Sequence, residues 1–468
     1  MTQEKPPKQK GRLLMNDEKS IEIFEKMPVK QAVIKLVVPT VIGQLVVLVY
    51  NLADTWFVGQ TKDNAQVAAV TVSFSLFIML NALANLFGIG GGSLISRLLG
   101  QHEYKLAGKV ASFLLWGGGI FTLIYSMLVL VFRSRLLSVL GADTKVFPFA
   151  YQYLFWTVII GGVPTVLNLV LSNIVRAEGK ANAASIGTAI GGILNIILDP
   201  IFIFVINMKV EGAALATCLS NIVSMLYFFA YIIKNRKTGM MPITFLPGRL
   251  DMKKIMEIFS IGIPSSLRTI LSALSNSVMV RFLSNYATSA VAGFGVTQHL
   301  ETVATQVIMG ISTGVLPLIA YSYAAGKKER MKQSVRFASG LAFFFAIMFL
   351  VLYEVSAPFI VEVFIRDTET VAFGAAFVRL RSVAVLFMAF TFILVAVFQG
   401  TGAAKEAFIL SFIRKGIIDI PLMFLMDHIV PLYGLMLVQP LVEFLGMMTA
   451  VIIYHLKHGK GEKHSYKG

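Results

Sequence analysis

Two acidic residues lie in stretches of sequence that are otherwise apolar enough to cross a bilayer. Asp199 stands within "GILNIILDPIFIFVI" (192–206), and Asn195 precedes it by four residues. Asp54 follows Tyr50 by four residues in an earlier apolar run. Because residues four apart share a helix face, each pair presents its polar groups to one place. A carboxylate in a membrane costs from about 2.5 to above 10 kcal/mol, so it normally has a partner, a water-filled cavity or an ion.

These side chains offer the oxygen ligands of a cation site. With Thr217, early in the next apolar run, they supply carboxylate, amide and hydroxyl oxygens. Such oxygens suit a hard monovalent cation such as sodium. Two carboxylates brought together away from water would alternatively hold a proton. The sequence leaves sodium and proton open, and it also leaves open a protonated, hydrogen-bonded packing role for Asp199.

The elements that position these residues are membrane-spanning helices. The chain has 468 residues, of which 56% are hydrophobic and 14% charged. A span needs about 20 apolar residues, and the runs are continuous, which favours helices over an alternating β-barrel. The predicted fold is an all-α integral membrane protein with twelve transmembrane helices. They lie near residues 33–59, 67–96, 110–132, 147–175, 183–207, 212–233, 256–285, 291–320, 334–364, 371–400, 406–430 and 433–456.

The distribution of basic residues predicts the orientation of the chain. The formal net charge is +16, but 29 of the 41 Lys and Arg residues fall on the side of the N-terminus and six on the other. By the positive-inside rule both termini are cytoplasmic, which agrees with an even number of spans. This asymmetry explains the charge without nucleic-acid binding. Arg97 and Arg176, at cytoplasmic helix ends, are expected to anchor to lipid headgroups.

The chain repeats itself. At an offset of 221 to 226 residues, Pro39 stands beside Pro264, Asn51 beside Asn276 and Pro200 beside Pro421. The longest polar interruption, 233–254, falls between the repeats. The predicted organisation is a cytoplasmic tail (1–32), a six-helix lobe (33–235), a cytoplasmic linker (236–255), a second six-helix lobe (256–456) and a cytoplasmic tail (457–468). Two similar lobes with the same orientation are typical of a transporter that alternates access to a central site.

Several segments resemble the multidrug and toxic compound extrusion family. They are "VPTVIGQLVVLVYNLADTWFVG" (38–59), "ISRLLG" (95–100), "NIVRAEGKANAA" (173–184), "NIILDPIFIF" (195–204) and "GAALAT" (212–217). The resemblance covers about residues 33 to 456 and is greatest to the bacterial branch with acidic cation-site residues in the N-terminal lobe. Coupling by an acidic pair in the second lobe is not expected, because Met279 stands at the position that corresponds to Asp54.

The resemblance implies an antiporter of the bacterial plasma membrane that acts as a monomer within the lipid. It would export small organic cations or amphipathic drugs, driven by inward sodium or proton flow, with no other cofactor. Pro39 would be the bend point of the first helix. Carried over by position, the cation site consists of Tyr50, Asp54, Asn195, Asp199 and Thr217, of which all but Tyr50 would be direct ligands of sodium.

A second polar group lies in the eighth span and around it. A carboxylate that faced the central cavity would attract cationic substrates, so the substrate cavity is assigned to Glu301, Gln298 and Asn173. The alternative is that Glu301 forms an ion pair with Arg268 or Arg281 of the seventh span. Asp419 and Glu443 are expected to pair with Arg414 or Lys415 rather than to bind substrate.

Two other functions remain as alternatives. A flippase for a lipid-linked oligosaccharide would share the two-lobe fold and would need a basic central cavity for a diphosphate. An intramembrane enzyme or a scaffold would need a catalytic pair or a large extramembrane domain. The sequence contains neither a phosphate-binding glycine loop followed by Lys nor HExxH, so neither an ATPase nor a metallohydrolase is indicated.

Overall fold

The computed structural model describes residues 22–61, 63–235, 240–243 and 250–462, and within these ranges the chain is almost wholly helical. Parts of the predicted tails (1–21 and 463–468) and of the predicted linker (236–239 and 244–249) lie outside the described residues. The last helix continues to Glu462, into the predicted C-terminal tail.

The first lobe contains six spans. Three are single helices, α1 (Val29–Gly59), α2 (Asn64–Gly100) and α3 (Tyr104–Val139). The fourth joins α4 (Phe147–Leu154), a π-helical segment (Phe155–Ile160) and α5 (Gly162–Ala177). The fifth joins α6 (Ala181–Pro200) and a π-helical segment (Ile201–Val205), and the sixth is α7 (Lys209–Asn235).

The second lobe repeats this order. Three long helices come first, α8 (Met252–Leu283), α9 (Thr288–Ala324) and α10 (Lys328–Phe364). The tenth span joins α11 (Thr368–Ser382) and α12 (Ala384–Gly400). The eleventh joins α13 (Ala404–Phe412), a π-helical segment (Ile413–Ile418) and α14 (Asp419–Ile429), and the twelfth is α15 (Tyr433–Glu462).

The fourth and tenth spans bend at corresponding positions. The fourth bends by 47° next to Gly161, and the tenth bends by 40° next to Val383. The separation of Gly161 and Val383 along the chain lies within the offset of 221 to 226 residues that relates the two halves of the sequence. The shared bend is therefore part of the duplicated architecture.

The eleventh span differs from the others in its polarity. Among the described residues, nine helices and the two bent pairs are long and apolar enough to cross a membrane. The eleventh is divided by its π-helical segment and carries Arg414, Lys415 and Asp419 near its centre. With this span the architecture has twelve membrane helices, as predicted, and the charges at the centre of the eleventh must be satisfied inside the second lobe.

The lobes meet in the half of the molecule that contains the start of α1, here called the terminal half. There α2 packs against α8, and α1 packs against α9. The contact between α2 and α8 depends on glycine, because a β-carbon at Gly262 would overlap the Leu86 carbonyl and one at Gly90 would overlap the Ile258 carbonyl. Close backbone approach at small residues is a common way to pack membrane helices.

Polar contacts reinforce this closed end. The Arg97 Nη1 of α2 lies 2.6 Å from the Glu257 Oε1 of α8. Ahead of α1, Phe24 stacks on Tyr321 of α9 with ring centroids 4.6 Å apart, and the Tyr321 hydroxyl donates to Glu25 Oε1 at 2.8 Å. The prediction that Arg97 anchors to lipid headgroups is therefore wrong, because it forms an ion pair with the other lobe.

Arg176 also departs from its predicted role as a lipid anchor. Its guanidinium points into the protein, where it donates to Asn173 Oδ1 and to Ser172 Oγ, both at 3.3 Å. A charged group near a helix end reaches lipid only if its side chain lies on the outer face. Arg176 lies on the inner face of α5, which sequence position alone does not reveal.

Candidate cation site and cavities

Asn195 and Asp199 lie one turn apart on the inner face of α6. The Asn195 Nδ2 donates to Asp199 Oδ1 at 3.3 Å and to Thr217 Oγ1 of α7 at 3.4 Å. Asp199 is fully buried, and Asn195 is 2% exposed. The structure thus brings three of the five predicted cation-site residues into one hydrogen-bonded group.

Tyr50 and Asp54 approach this group from α1. Both line a cavity of about 380 Å³ together with Asn195 and Thr217. Asp199 joins this junction through Asn195, which lines the cavity and donates to the Asp199 carboxylate. The approach is possible because residue 192 is glycine, since a β-carbon there would lie 3.0 Å from the Tyr50 Cδ1. All five predicted residues therefore lie at one junction of α1, α6 and α7.

Three buried oxygens at this junction have no hydrogen-bond donor among the described residues. They are Asp54 Oδ1, Asn195 Oδ1 and Asp199 Oδ2. Neither carboxylate forms an ion pair within the described part of the chain. Leaving such groups unpaired away from water is costly. An oxygen-rich group with two carboxylates and no basic partner has the chemistry to bind a cation or a proton.

The cavity also has polar lining beyond the five predicted residues. Asn168 of α5 donates to Asn221 Oδ1 of α7 at 3.0 Å, and Asn81 and Tyr153 contribute further polar atoms. Asn221 follows Thr217 by one helical turn, which is a signal that could have identified it. Asn51, by contrast, donates its amide to the Val47 carbonyl of its own helix at 2.9 Å.

The second lobe encloses its own cavity of about 260 Å³, and Gln298 and Glu301 of the predicted substrate group line it. Glu301 Oε2 accepts from Arg381 Nε at 2.8 Å and from Arg381 Nη2 at 2.6 Å. The ion pair predicted with Arg268 or Arg281 is therefore wrong. The actual partner belongs to α11, on a distant part of the chain.

Asp419 and Glu443 have the partners that were predicted for them. Arg414 Nη2 lies 2.7 Å from Glu443 Oε1, and Lys415 Nζ lies 2.9 Å from Asp419 Oδ2. Gln439 of α15 connects the pairs, because its Oε1 accepts from Lys415 at 3.0 Å and its Nε2 donates to Glu443 Oε1 at 3.2 Å. This network neutralises the charges of the eleventh span.

Asn173 lines neither the first-lobe cavity nor the second-lobe cavity. It lies in a crevice of about 30 Å³ in the terminal half, beside Gly88, Arg176 and Gln399. It is thus separated from Gln298 and Glu301, with which it was grouped. Thr302 of α9, in contrast, lines both the first-lobe and the second-lobe cavity.

Pro39 lies inside α1, which is continuous from Val29 to Gly59. A proline in a helix removes one backbone hydrogen bond and clashes with the preceding turn. The neighbouring Thr40 hydroxyl donates to the Leu36 carbonyl at 2.7 Å. Pro39 lies in the terminal half, within the stretch of α1 that contacts α9, because β-carbons at Gly310 and Gly314 would lie 2.8 and 2.9 Å from the Val41 and Val37 Cα atoms.

Known proteins share this architecture. A family model described as MatE matches residues 39–201 and 264–425. The chain belongs to this family. The two matches begin 225 residues apart, one in each lobe, and the resemblance found in the sequence is confirmed.

Individual relatives of the MatE family agree with this assignment. The chain is 31% identical to the multidrug export protein MepA of Staphylococcus aureus strain MSSA476, over 94% of this chain and 97% of that protein. It is 30% identical to MepA of Staphylococcus saprophyticus over the same shares. This MatE protein is a multi-pass membrane transporter and not an enzyme.

Solved structures of MATE transporters share the fold. An outward-facing multidrug resistance MATE transporter matches with a TM-score of 0.85 at 26% identity, over 96% of this chain and 99% of that one. A MATE protein in the straight conformation has a TM-score of 0.89 at 24% identity, over 95% and 99% of the two chains, and this match concerns the fold alone.

Proposed function

We propose that this MATE transporter exports cationic or amphipathic drugs across the bacterial plasma membrane, driven by inward sodium or proton flow. The observation that carries the proposal is the group of three unpartnered oxygens on Asp54, Asn195 and Asp199. The names of the MepA relatives support multidrug export as the task. Sodium or a proton as the coupling ion is supported by the donor set of the site.

The two sides of the molecule differ in a way that suits alternating access. The two lobes contact each other in the terminal half. The cavities are lined by residues from the halves of α1 and α9 that lie away from this contact. If the terminal half is cytoplasmic, as the excess of basic residues indicates, this conformation exposes the cation site to the outside. An external cation would then enter first.

Coupling follows from competition at one junction. A sodium ion or proton on Asp54 and Asp199 would remove the negative charge that attracts a cationic substrate. The substrate would be released outward, and its rebinding from the cytoplasm would require release of the ion. A difference in binding free energy between the two states is all that such coupling requires.

The test is ethidium accumulation in drug-sensitive cells. We expect the wild type to lower accumulation and the variant Asp199→Asn to be inactive at equal membrane levels, with the wild-type effect cancelled when the ion gradient is collapsed. Asp143→Asn is the matched control, because Asp143 lies in an exposed turn and an amide oxygen can still accept from the backbone of Lys145. Gradient-driven export by Asp199→Asn would overturn the assignment.

A flippase for a lipid-linked oligosaccharide is the second candidate. It would need a strongly basic cavity for a diphosphate. Four basic side chains line the second-lobe cavity, but three of them form ion pairs with carboxylates. This balance favours export of compounds with little net negative charge.

A further inference from the structure

The fourth basic residue of the second-lobe cavity has no acidic partner. Arg268 lies at the middle of α8 and lines the cavity of about 260 Å³. Among the described residues its guanidinium has no hydrogen-bond or ion-pair partner. An arginine inside a membrane span is costly and normally pairs with a carboxylate or marks a functional site.

The nearby charges increase the need for an anion. Arg268 and Arg414 both lie against the ring of Phe392, with their guanidinium carbons 5.7 and 5.5 Å from its centroid. Because both cations lie beside one ring, their like charges repel each other. Glu443 Oε1 accepts from Arg414 and Gln439, and Glu443 Oε2 has no hydrogen-bond donor among the described residues. Arg268 therefore donates to neither oxygen of this carboxylate.

The rest of the cavity suits an amphipathic molecule. Ser272 and Asn276 follow Arg268 at one-turn intervals on the same face of α8 and line the same cavity, and neither side chain has a hydrogen-bond partner among the described residues. The opposite lining is apolar and adaptable, with Met279, Met388, Met423, Phe294 and Phe392. Methionine and aromatic side chains accommodate varied apolar bodies.

We propose that the second-lobe cavity binds the anionic group of an amphipathic compound, a carboxylate or a sulfonate, through Arg268 with Ser272 and Asn276. Compounds that carry both a cationic and an anionic group would therefore be accepted as well as simple cations. Only the consequence for transport rests on the proposed export function. Binding itself does not require coupling.

The test compares two dyes that differ in one group. Rhodamine 19 carries a free carboxylate, and rhodamine 6G is its ethyl ester. Their dissociation constants would be measured by fluorescence polarisation on the full-length protein in nanodiscs of phosphatidylcholine, without an ion gradient. A charge-assisted hydrogen bond of 1.5 to 3 kcal/mol corresponds to about ten-fold or more in affinity.

We expect Arg268→Gln to weaken rhodamine 19 about ten-fold while rhodamine 6G changes less than about two-fold. Arg268→Lys should keep most of the rhodamine 19 affinity. The matched control is Arg281→Gln, on the same helix but outside this cavity. The proposal is overturned if the wild type shows no saturable rhodamine 19 binding, or if Arg268→Gln changes both dyes equally or neither.

A lipid headgroup can carry an anionic group of the same chemistry as these compounds. A separate measurement distinguishes the two sources. Adding phosphatidylglycerol to the nanodiscs would weaken rhodamine 19 binding to the wild type, but not to Arg268→Gln, if a lipid headgroup reaches the same site. No effect of the lipid on either protein would assign the site to soluble amphipathic compounds. Because these measurements use no gradient, their failure is separate from a failure of coupled export.

Discussion

The fifth span of the first lobe and the eleventh span of the second lobe each carry two polar residues four positions apart. In the first lobe these are Asn195 and Asp199, and the Asn195 amide also contacts Thr217 of α7. In the second lobe they are Lys415 and Asp419, and the lysine contacts Gln439 of α15. The first lobe thus pairs its carboxylate with an amide, and the second lobe pairs its carboxylate with an ammonium group.

The helices that face these pairs also differ. Asp54 of α1 lies at the same junction as Asp199, whereas Met279 occupies the corresponding position on α8. Next to it, Ser275 donates its hydroxyl to Asp419 Oδ2 at 2.7 Å. The second-lobe carboxylates Glu301, Asp419 and Glu443 therefore each have a basic partner, whereas Asp54 and Asp199 of the first lobe have none among the described residues. The two lobes share their order of spans, but within these pairs only the first lobe has carboxylates without a basic partner in the described part of the chain.

The largest effect is expected when the first lobe is made like the second. Asp54→Met leaves Asp199 as the single carboxylate of the site, so we expect gradient-driven ethidium export to fall to the level of empty cells. The measurement is accumulation at matched membrane expression, with Asp143→Asn as the active control. Export at more than half of the wild-type rate would contradict the assignment of Asp54.

The reverse experiment removes the internal cation of the second lobe. Lys415→Met leaves Asp419, 1% exposed, without a basic partner and with only the Ser275 hydroxyl as donor. Breaking a buried pair costs about 3 to 5 kcal/mol. We expect a clearly lower midpoint of thermal unfolding for the purified protein, and we expect Asp419→Asn added to Lys415→Met to restore most of the loss. A single variant as stable as the wild type would show that the pair is dispensable.

A smaller effect is expected at the contact between the lobes. Arg97 and Glu257 are 11% and 30% exposed, so their ion pair contributes about 1 kcal/mol, or about five-fold in the balance between closed and open terminal halves. Glu257→Gln should therefore broaden the distance between spin labels placed at Lys105→Cys and Lys328→Cys, in a Cys218→Ser background.

Lys254→Gln is the control for this measurement. It removes only the pair between Lys254 and Glu257 within α8, at 3.0 Å. We expect the distance distribution to stay as in the wild type. An equal broadening in both variants would mean that the Arg97 contact does not hold the lobes together.

The smallest effect concerns Glu25, which lies ahead of α1 and contacts the second lobe. Partial burial raises the pKa of its carboxyl, but hydrogen bonds from Tyr321 and Lys327 and the positive charges of Lys327 and His102 outweigh it, so the pKa lies below 4.5. A lowered pKa means that the carboxylate stabilises the fold above pH 4.5 and that this contribution is lost as the pH falls through the folded-state pKa.

Glu25→Gln should therefore be less stable than the wild type near neutral pH, by about 0.5 kcal/mol. The difference should shrink as the pH falls below 4.5. Thermal unfolding midpoints of the two proteins over a pH series provide the measurement. A difference that grows at low pH would exclude this role.

The sequence predicted the spans and the partners that lie close along the chain. The pair of Lys415 and Asp419 was accessible because helix periodicity places residues four apart on one face. The partner of Glu301, by contrast, was wrongly placed on the seventh span and lies on α11. Arg97 and Arg176 were wrongly assigned to lipid because the direction of a side chain at a helix end depends on the neighbouring helices.

Composition, periodicity and charge asymmetry by themselves determined that this chain is a twelve-helix membrane protein with two similar lobes, because the hydrophobic length and spacing of each span are local properties. The tertiary structure decided that Asp54 meets Asp199, that the lobes close in the terminal half and that Arg268 lacks an acidic partner. These facts depend on how helices far apart in sequence pack, and packing is set by shape and small residues along whole helices.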